Sequence, residues 1–495
     1  MEQETGERNR FVIKVANQQL DLRDWLVQVK QLGELVEIEG VHWDKEMGAL
    51  TQIVHERSTS SPPALLFSKV PGYPDGFRTL YGSLSSVKRL ALSLGISSEY
   101  DQKISLLKEF RAKVETIKPI PPRTVSRGPI FENVLEGDRV NVLKFPVPKH
   151  HEQDPARFIA TACAVILKHP DQGWFNIGTY RSMVYSETEI GLEMSPTSDG
   201  GRIQKLYLDR KEPMPVVICV GQHPLIYLVG STKHNLPEYD VAGGILGAPV
   251  DVVKGPFTGF PIPAHAEIVL EGLVYPDKMK PEGPFGEWMG YYASDVVDRP
   301  YVEVKAVLHR NDPILTCAPQ HKPPDETVLL RSLATSAKAW QALEDLGVRG
   351  VKGVWQHEGG ASKKFLVVSL EQHFTGHARQ ALHVAAASAG AIFGGKWVIV
   401  VDDDIDPTNM TEVTWALCTR VNGLDDFDFI QKAPSGGLID PLTGDYFNTH
   451  ILVDACIPYG QKAAGEFPQA VTVSKELSDS LLDRWGMRFE QWFKS

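Results

Sequence analysis

Apolar positions near the start of the chain recur every three or four residues. In DLRDWLVQVKQLGELVEIEG, Leu22, Trp25, Leu26, Val29 and Leu32 fall on one helical face, and the segment ends in the short strand-like run LVEIEG. KEMGALTQIVHERS and SSVKRLALSLGIS read as further helices, separated by the strand-like ALLFSKV and a Pro/Gly turn. ISLLKEFRAKVETI is amphipathic and stops at KPIPPRTVSRGP, where Pro119, Pro121 and Pro122 break any helix. A domain boundary is expected there, near residue 120.

From about 128 to 320 the period shortens. FIATACAVIL, RSMVYS, PVVICVG, VDVVKG, AEIVLEG, YVEVKAVLHR and PILTCA are β-branched or aliphatic runs between Gly/Pro/Asp turns, the pattern of a β-rich domain built as a barrel. After KPPDET the alternation returns to α/β. Helix-like LLRSLATSAKAWQALEDLG precedes strand-like KGVWQHEGG and KKFLVVSL, then a helix across GHARQALHVAAASAG, the strand KWVIVVDDDID and the helix MTEVTWALCTRVN. KELSDSLLDRWGMRFEQWFK closes the chain as an amphipathic tail carrying Leu481, Leu482, Trp485, Met487, Phe489, Trp492 and Phe493. The expected class is α/β (α+β): an N-terminal α/β region over 1–119, a β-barrel domain over 120–323, a C-terminal α/β domain over 324–470 and a terminal helix over 471–495.

Composition narrows the function. At about 150 residues per domain, 495 residues allow three. A chain 42% hydrophobic and 23% charged is neither disordered nor a coiled coil. The net charge of −11 argues against a phosphate-tracking nucleic-acid binder. Cys163, Cys219, Cys317, Cys418 and Cys456 are scattered, which suits neither a disulfide framework nor a zinc site. The polar opening MEQETGERNR is not expected to be a secretory signal, and Pro215–Gly230 is too short and too interrupted to cross a bilayer as one helix. A cytoplasmic, reducing location is the default expectation.

The most unusual segment is AEIVLEGLVYPDKMKPEGPFGEWMGYY. Glu282 and Glu287 flank Gly283, Pro284, Phe285 and Gly286, so the spacing predicts a sharp, close-approach loop, not a strand or helix face. A carboxylate held there beside Phe285 and Trp288 suits a general acid; an ordinary solvated turn is the alternative. In GWFNIGTYRSMVYS, Arg181 needs an anionic partner, either a glutamate or a substrate carboxylate. The aspartates of VIVVDDDID are a loop cap or a cation site, since no GxGxxG precedes them. GGILG is a weak phosphate loop, and His150 and His151 in KHHEQD form a polar knot without metal-ligand periodicity.

Together these segments resemble the UbiD family of reversible decarboxylases, which act on ferulic, pyrrole-2-carboxylic and hydroxybenzoic acids. The likeness runs through GPIFENVLEGDRVNVLKFPVPKHHEQD, FNIGTYR, LPEYDVAGGILGAPVDVVKG, AEIVLEG with PEGPFGE, and KWVIVVDDDID with WALCTR. It implies a flavin-binding split β-barrel, prenylated FMN supplied by a separate flavin prenyltransferase, and a divalent metal (typically Mn2+) bridging the phosphate, with K+ nearby. Asn176 and Glu238 fall on metal-ligand positions, and the segment Asn176, Ile177, Gly178, Thr179, Tyr180 and Arg181 with Glu238 falls on the cofactor site. Arg181, Glu282 and Glu287 fall on the catalytic trio. Members often place a histidine as third metal ligand; here the loop reads EMSPTSDGGRIQ, so Asp199 or water completes the set. Pro155-Ala156 stands where relatives often have Gly-Gly. SAG at 388–390 stands where cinnamate-type members carry a flavin-contacting lysine.

The resemblance implies that Arg181 orients the substrate carboxylate, Glu287 holds Arg181, and Glu282 delivers the proton after CO2 leaves. His321, where the β-rich region gives way to the C-terminal one, is a candidate to bind a phenolic hydroxyl, which favours a hydroxybenzoate-type acid over a cinnamate-type or heteroaromatic one; a surface loop histidine beside Lys322 is the alternative. The expected partners are that acid, CO2 and further copies of the chain as a homodimer or higher homo-oligomer, without nucleic acid or membrane. Two rivals remain. A non-catalytic flavin-binding or assembly protein would have no use for a proton donor, and a conventional oxidoreductase would need the missing dinucleotide fingerprint.

Overall fold

The computed structural model describes residues 20–59, 61–97, 102–233, 235–292, 296–435 and 446–488. The opening decapeptide and the tail residues Phe489, Trp492 and Phe493 lie outside the described residues. The chain divides into two compact units, Met1–Ile53 with Pro63–Ala334, and Val54–Pro62 with Thr335–Ser495. Both mix helices with sheets, as the alternating periods predict.

In the first unit the Asp21 side chain accepts from the Arg23 N–H and caps the helix Leu22–Gln31. That helix buries Leu22, Trp25, Leu26 and Val29 against Ala64, Leu66, Leu80 and Ile314 of a four-stranded sheet. The sheet orders Leu35–Glu39, Ala64–Ser68, Arg78–Tyr81 and Ile314–Cys317. The last strand is the expected run PILTCA, which does not join the β-rich sheet. All four of its residues are buried, and it lies parallel to Arg78–Tyr81, a place that suits an apolar run without alternation.

The β-rich region forms a seven-stranded sheet. Its path runs Glu189–Gly191, Val297–His309, Ile268–Glu282, Met214–Val220, Cys163–Lys168 and Phe175–Gly178, with Asn133–Glu136 also on Val297–His309. Every pairing in it is antiparallel. Among the described residues this path is open. FIATACAVIL is two strands, Phe158–Ala160 and Cys163–Lys168, because side chains take over the backbone between them. Thr161 Oγ1 accepts from the Ala318 N–H, while Gln222 and Thr316 donate to the Ala162 carbonyl. Gly243 and Gly244 of GGILG lie inside the helix Glu238–Leu246, where a Cβ on Gly243 would come within 2.4 Å of the Ile120 carbonyl, and Gly247 caps that helix at φ 74°. The first two serve close packing.

The second unit orders Val351–Gln356, Phe365–Leu370, Trp397–Asp402, Phe447–Ala455 and Phe427–Pro434 in one sheet, parallel at the centre and antiparallel at both edges. Asp402 of the triple-aspartate run is a satisfied cap. It accepts from Arg420, Lys462, Gln372 and the Ile457 N–H, so the chain supplies its own cations. None of the described helices is long and apolar enough to cross a membrane.

Candidate active site

Two sheet strands lead to the candidate side chains. Phe175–Gly178, at one end of the seven-stranded path, carries Asn176 and leads through Thr179 and Tyr180 to Arg181. The long strand Ile268–Glu282 ends on Glu282, opposite Val297. Glu282 is thus a strand residue, against the expectation of a loop across the whole of PEGPFGE; the chain turns only from Gly283 onward. Gly283 sits at φ 99°, a region side chains avoid. Phe285 is buried with Phe158 and Met183, its ring 4.5 Å from that of Phe158. A Cβ on Gly286 would meet the Gln320 carbonyl at 2.6 Å, so only glycine lets this loop approach that backbone. Glu287 comes next, fixed by its N–H to the Tyr291 carbonyl.

These elements bring the three charged residues together. Arg181 Nε and Nη2 donate to the two oxygens of Glu282 at 2.8 and 2.9 Å, and Nη1 donates to Glu287 at 2.7 Å. The Arg181 side chain is 14% exposed, Glu282 3% and Glu287 23%. The Phe285 ring lies 5.0 Å from the guanidinium carbon. Burial works against the charge on Arg181, but the Glu282 hydrogen bonds and both carboxylates outweigh it and hold the group above its ordinary value. Three of the five guanidinium N–H groups are engaged, which leaves donors for a third carboxylate.

A second cluster lies along the same segment. The Ile177 N–H donates to Glu238 at 3.2 Å, and Asn176 beside it is buried. Burial pushes the Glu238 carboxyl up to about 7, and the charge of Asp199 adds to the rise; no arginine or lysine acts on it. Tyr180 accepts from the Gly200 N–H at 3.1 Å, and Thr179 donates to the Cys163 carbonyl. The Asp199 carboxylate is half exposed and pairs with Arg202 at 3.3 Å. The Glu238 carboxylate and the Asn176 side chain offer oxygen donors of the kind a hard divalent ion takes. Among the described residues no group of three His, Cys, Asp or Glu side chains could hold a metal alone.

His321 is buried, its Nδ1 2.9 Å from the Lys322 carbonyl. A carbonyl only accepts, so Nδ1 carries a proton. The backbone around His321 packs on the site loop, at Gly286 through Gln320 and at Gly290 through Lys322. His150 and His151 form the expected knot, with Tyr81 bonded to His150 and Asp154 to His151. Sequence reasoning misses Glu193 and Arg299, which ion-pair beside Arg181. Only the register of the strands that carry them could have revealed it.

The fold and this constellation define a carboxy-lyase. Residues 26–107, 123–323 and 328–455 match the N-terminal, Rift-related and C-terminal domains of 3-octaprenyl-4-hydroxybenzoate carboxy-lyase, and the chain belongs to this UbiD family. It is 31% identical over 475 residues to pyrrole-2-carboxylic acid decarboxylase of Pseudomonas aeruginosa, covering 92% of this chain and 94% of that protein. The open form of vanillic acid decarboxylase from Sedimentibacter hydroxybenzoicus superposes with TM-score 0.83 at 26% identity, covering 97% and 100% of the two chains. The UbiD-class enzyme HmfF of Pelotomaculum thermopropionicum, in complex with FMN, gives 0.81 at 28% identity over 94% and 98%. An evolved dimeric form of HmfF is known with prFMN.

Proposed function

We propose that this enzyme decarboxylates, reversibly and without net oxidation, an aromatic acid of the hydroxybenzoate type with the aid of prenylated FMN. The observation that carries the proposal is the buried Arg181–Glu282–Glu287 constellation, with guanidinium donors to spare. Residues 120–323 form the cofactor domain in this reading, built as a split β-barrel, and the match to the family's Rift-related domain over 123–323 supports that extent. Asn176 and Glu238 would hold a divalent metal, Mn2+, that ties the cofactor phosphate to the segment 176–181. Asp199 or water completes the shell, and K+ binds nearby. When bound, the flavin supplies the electron sink for the bond that breaks.

The chain's own residues supply orientation and a proton. Arg181 binds the substrate carboxylate through its remaining N–H groups while Glu287 keeps the guanidinium aligned. The bond between ring carbon and carboxylate breaks, CO2 leaves, and a proton from Glu282 takes its place on the same carbon. One carboxylate and one proton give one C–H and one CO2, so no oxidant is consumed. Phe285 and Phe158 keep water from that proton. His321, buried where its backbone packs on the site loop, suits contact with a phenolic hydroxyl, which favours hydroxybenzoates over the cinnamate-type and heteroaromatic alternatives. Leu477, Leu481, Leu482 and Trp485 remain 43–52% exposed on the helix Lys475–Trp485, a surface suited to a homodimer or larger homo-oligomer.

Co-expression with a flavin prenyltransferase should yield protein whose released cofactor has the mass of prenylated FMN. That protein should release CO2 from hydroxybenzoates and carboxylate the products under bicarbonate. Unmodified FMN, or no flavin, would overturn the cofactor assignment. If His321→Ala leaves discrimination between hydroxylated and unhydroxylated acids unchanged, the phenol contact is wrong.

A further inference from the structure

Beside Arg181 lies a second acid–arginine pair that the reaction as described does not use. Strand Glu189–Gly191 runs antiparallel to Val297–His309 with Gly191 opposite Tyr301. Two residues further along each chain, Glu193 ion-pairs with Arg299. The Glu193 N–H donates to the Arg181 carbonyl at 3.3 Å, which ties this acid to the arginine of the site. Arg299 is the cross-strand partner of Lys280, as Val297 is of Glu282. Cross-strand partners and residues two apart share a face of a sheet, so Arg299, Lys280 and Glu282 project together.

Along that face every basic residue is paired with an acid, Lys278 and Lys305 sharing Glu303. Lys278 pairs with Glu303, Lys280 with Glu189 and Arg299 with Glu193, and the row ends on Glu282 with Arg181. Tyr185 closes the cluster, its hydroxyl donating to the Pro281 carbonyl beside Glu282. Burial holds the Glu193 carboxyl above its ordinary range, Arg181 and Arg299 pull against that, and the Glu282 charge reinforces it. The charges of Glu282, Asp298 and Glu193 all act on the Tyr185 phenol, whose rise comes first from burial. The charged groups acting on Glu193 are Arg181, Arg299 and Glu282, and Glu193 with Glu282 and Asp298 acts in turn on Tyr185; the Lys280–Glu189 pair lies next along the same face.

We propose that Glu193, compensated by Arg299, is a positioning residue that sets the pH at which the Arg181–Glu282–Glu287 constellation takes up and releases its proton. Groups coupled this closely titrate as a set, so one charge at its edge moves the whole. With Glu193 ionised, Arg299 is neutralised and the constellation keeps its proton to higher pH. Without that carboxylate, Arg299 acts on Glu282 uncompensated and the proton leaves at lower pH.

The proposal rests on Glu282 as proton donor, so the test separates the two. The basic limb of the kcat/KM profile, measured with the hydroxybenzoate turned over fastest, reports the essential acid. Infrared titration of the carboxyl band that Glu282→Gln removes reports the same group without substrate. Glu193→Gln should move both midpoints down by roughly 0.5–1 pH unit. Glu193→Asp should leave them in place, and Glu193→Gln combined with Arg299→Met, which removes one charge of each sign, should bring them back. A purely structural pair would lower kcat in every variant without this pattern. Unmoved midpoints in Glu193→Gln, or a double variant that stays with the single one, would overturn the proposal. Full turnover by Glu282→Gln would instead overturn the donor assignment, and the infrared midpoint would still decide the role of Glu193.

Discussion

The strand Ile268–Glu282 has a buried glutamate at each end, and the two sit in opposite surroundings. Glu267, just before the strand, is completely enclosed. Both oxygens accept from Arg23 at 2.8 Å, with further donors from Arg310 and the Ile314 N–H. Arg310 also grips Asp21, which His265 bonds as well. Two arginines there meet two carboxylates, and every lone pair has a use. At the other end one arginine meets Glu282 and Glu287, so negative charge is in excess and guanidinium donors remain. A balanced network locks a fold; an unbalanced one can exchange a proton and admit a ligand.

The largest effect should come from breaking the unbalanced end. Glu282→Gln should lower kcat by about 10²–10⁴-fold while the melting temperature stays within a few degrees. Steady-state rates beside a thermal melt decide this. Glu267→Gln should do the reverse. It strands parts of Arg23 and Arg310 without a counter-charge, at a cost of about 3 kcal/mol, and the molecules that stay folded should turn over nearly normally. Denaturant titration with activity per folded molecule measures both. If Glu267→Gln instead stops turnover without loss of stability, the division of labour between the two ends is wrong.

Asp21 sharpens the structural side through pH. Burial opposes its charge, but hydrogen bonds from His265 and the Arg23 N–H, together with the Arg310 charge, bring it from 3.8 down to about 2. A carboxyl lower in the folded than in the unfolded state stabilises fully above its unfolded value, and the gain fades as pH falls through about 2. The shift corresponds to about 2 kcal/mol. Asp21→Asn should therefore lose about that much at neutral pH and show a flatter decline in stability between about pH 4 and 2. An unchanged acid limb in urea titrations would show that Asp21 contributes nothing there.

How legible these regions were differs for the same physical reason. Arg181, Glu282 and Glu287 could be read because glycine and proline around two glutamates, and an arginine in an apolar stretch, are local anomalies. The resemblance then gave them roles. Helices such as Leu22–Gln31 were legible from period alone. The Glu267 network was not, since Arg23 and Glu267 lie 244 positions apart and nothing local joins them. PILTCA reads as a strand but belongs to a different sheet from the one its neighbours suggest, because a fully buried run looks the same in either. Glu193 escaped because its partner is set by strand register, which alternation alone does not fix.

The smallest expected effect tests whether the site is itself graded. Glu287 comes from the turning loop, not from the strand, and touches Arg181 through one hydrogen bond at 2.7 Å. Its side chain is 23% exposed against 3% for Glu282. Glu287→Gln keeps an oxygen to accept that bond and removes only a partly solvated charge, a loss of about 1 kcal/mol, or roughly fivefold in kcat/KM. Most of it should fall on KM, because a less firmly held guanidinium binds the substrate carboxylate less well while the proton source stays intact. A separate measurement of kcat and KM over the acid panel tests this. Should Glu287→Gln instead lose as much kcat as Glu282→Gln, the two carboxylates would be equal partners in proton transfer. The excess negative charge, and not the strand-end placement of Glu282, would then define the catalytic end.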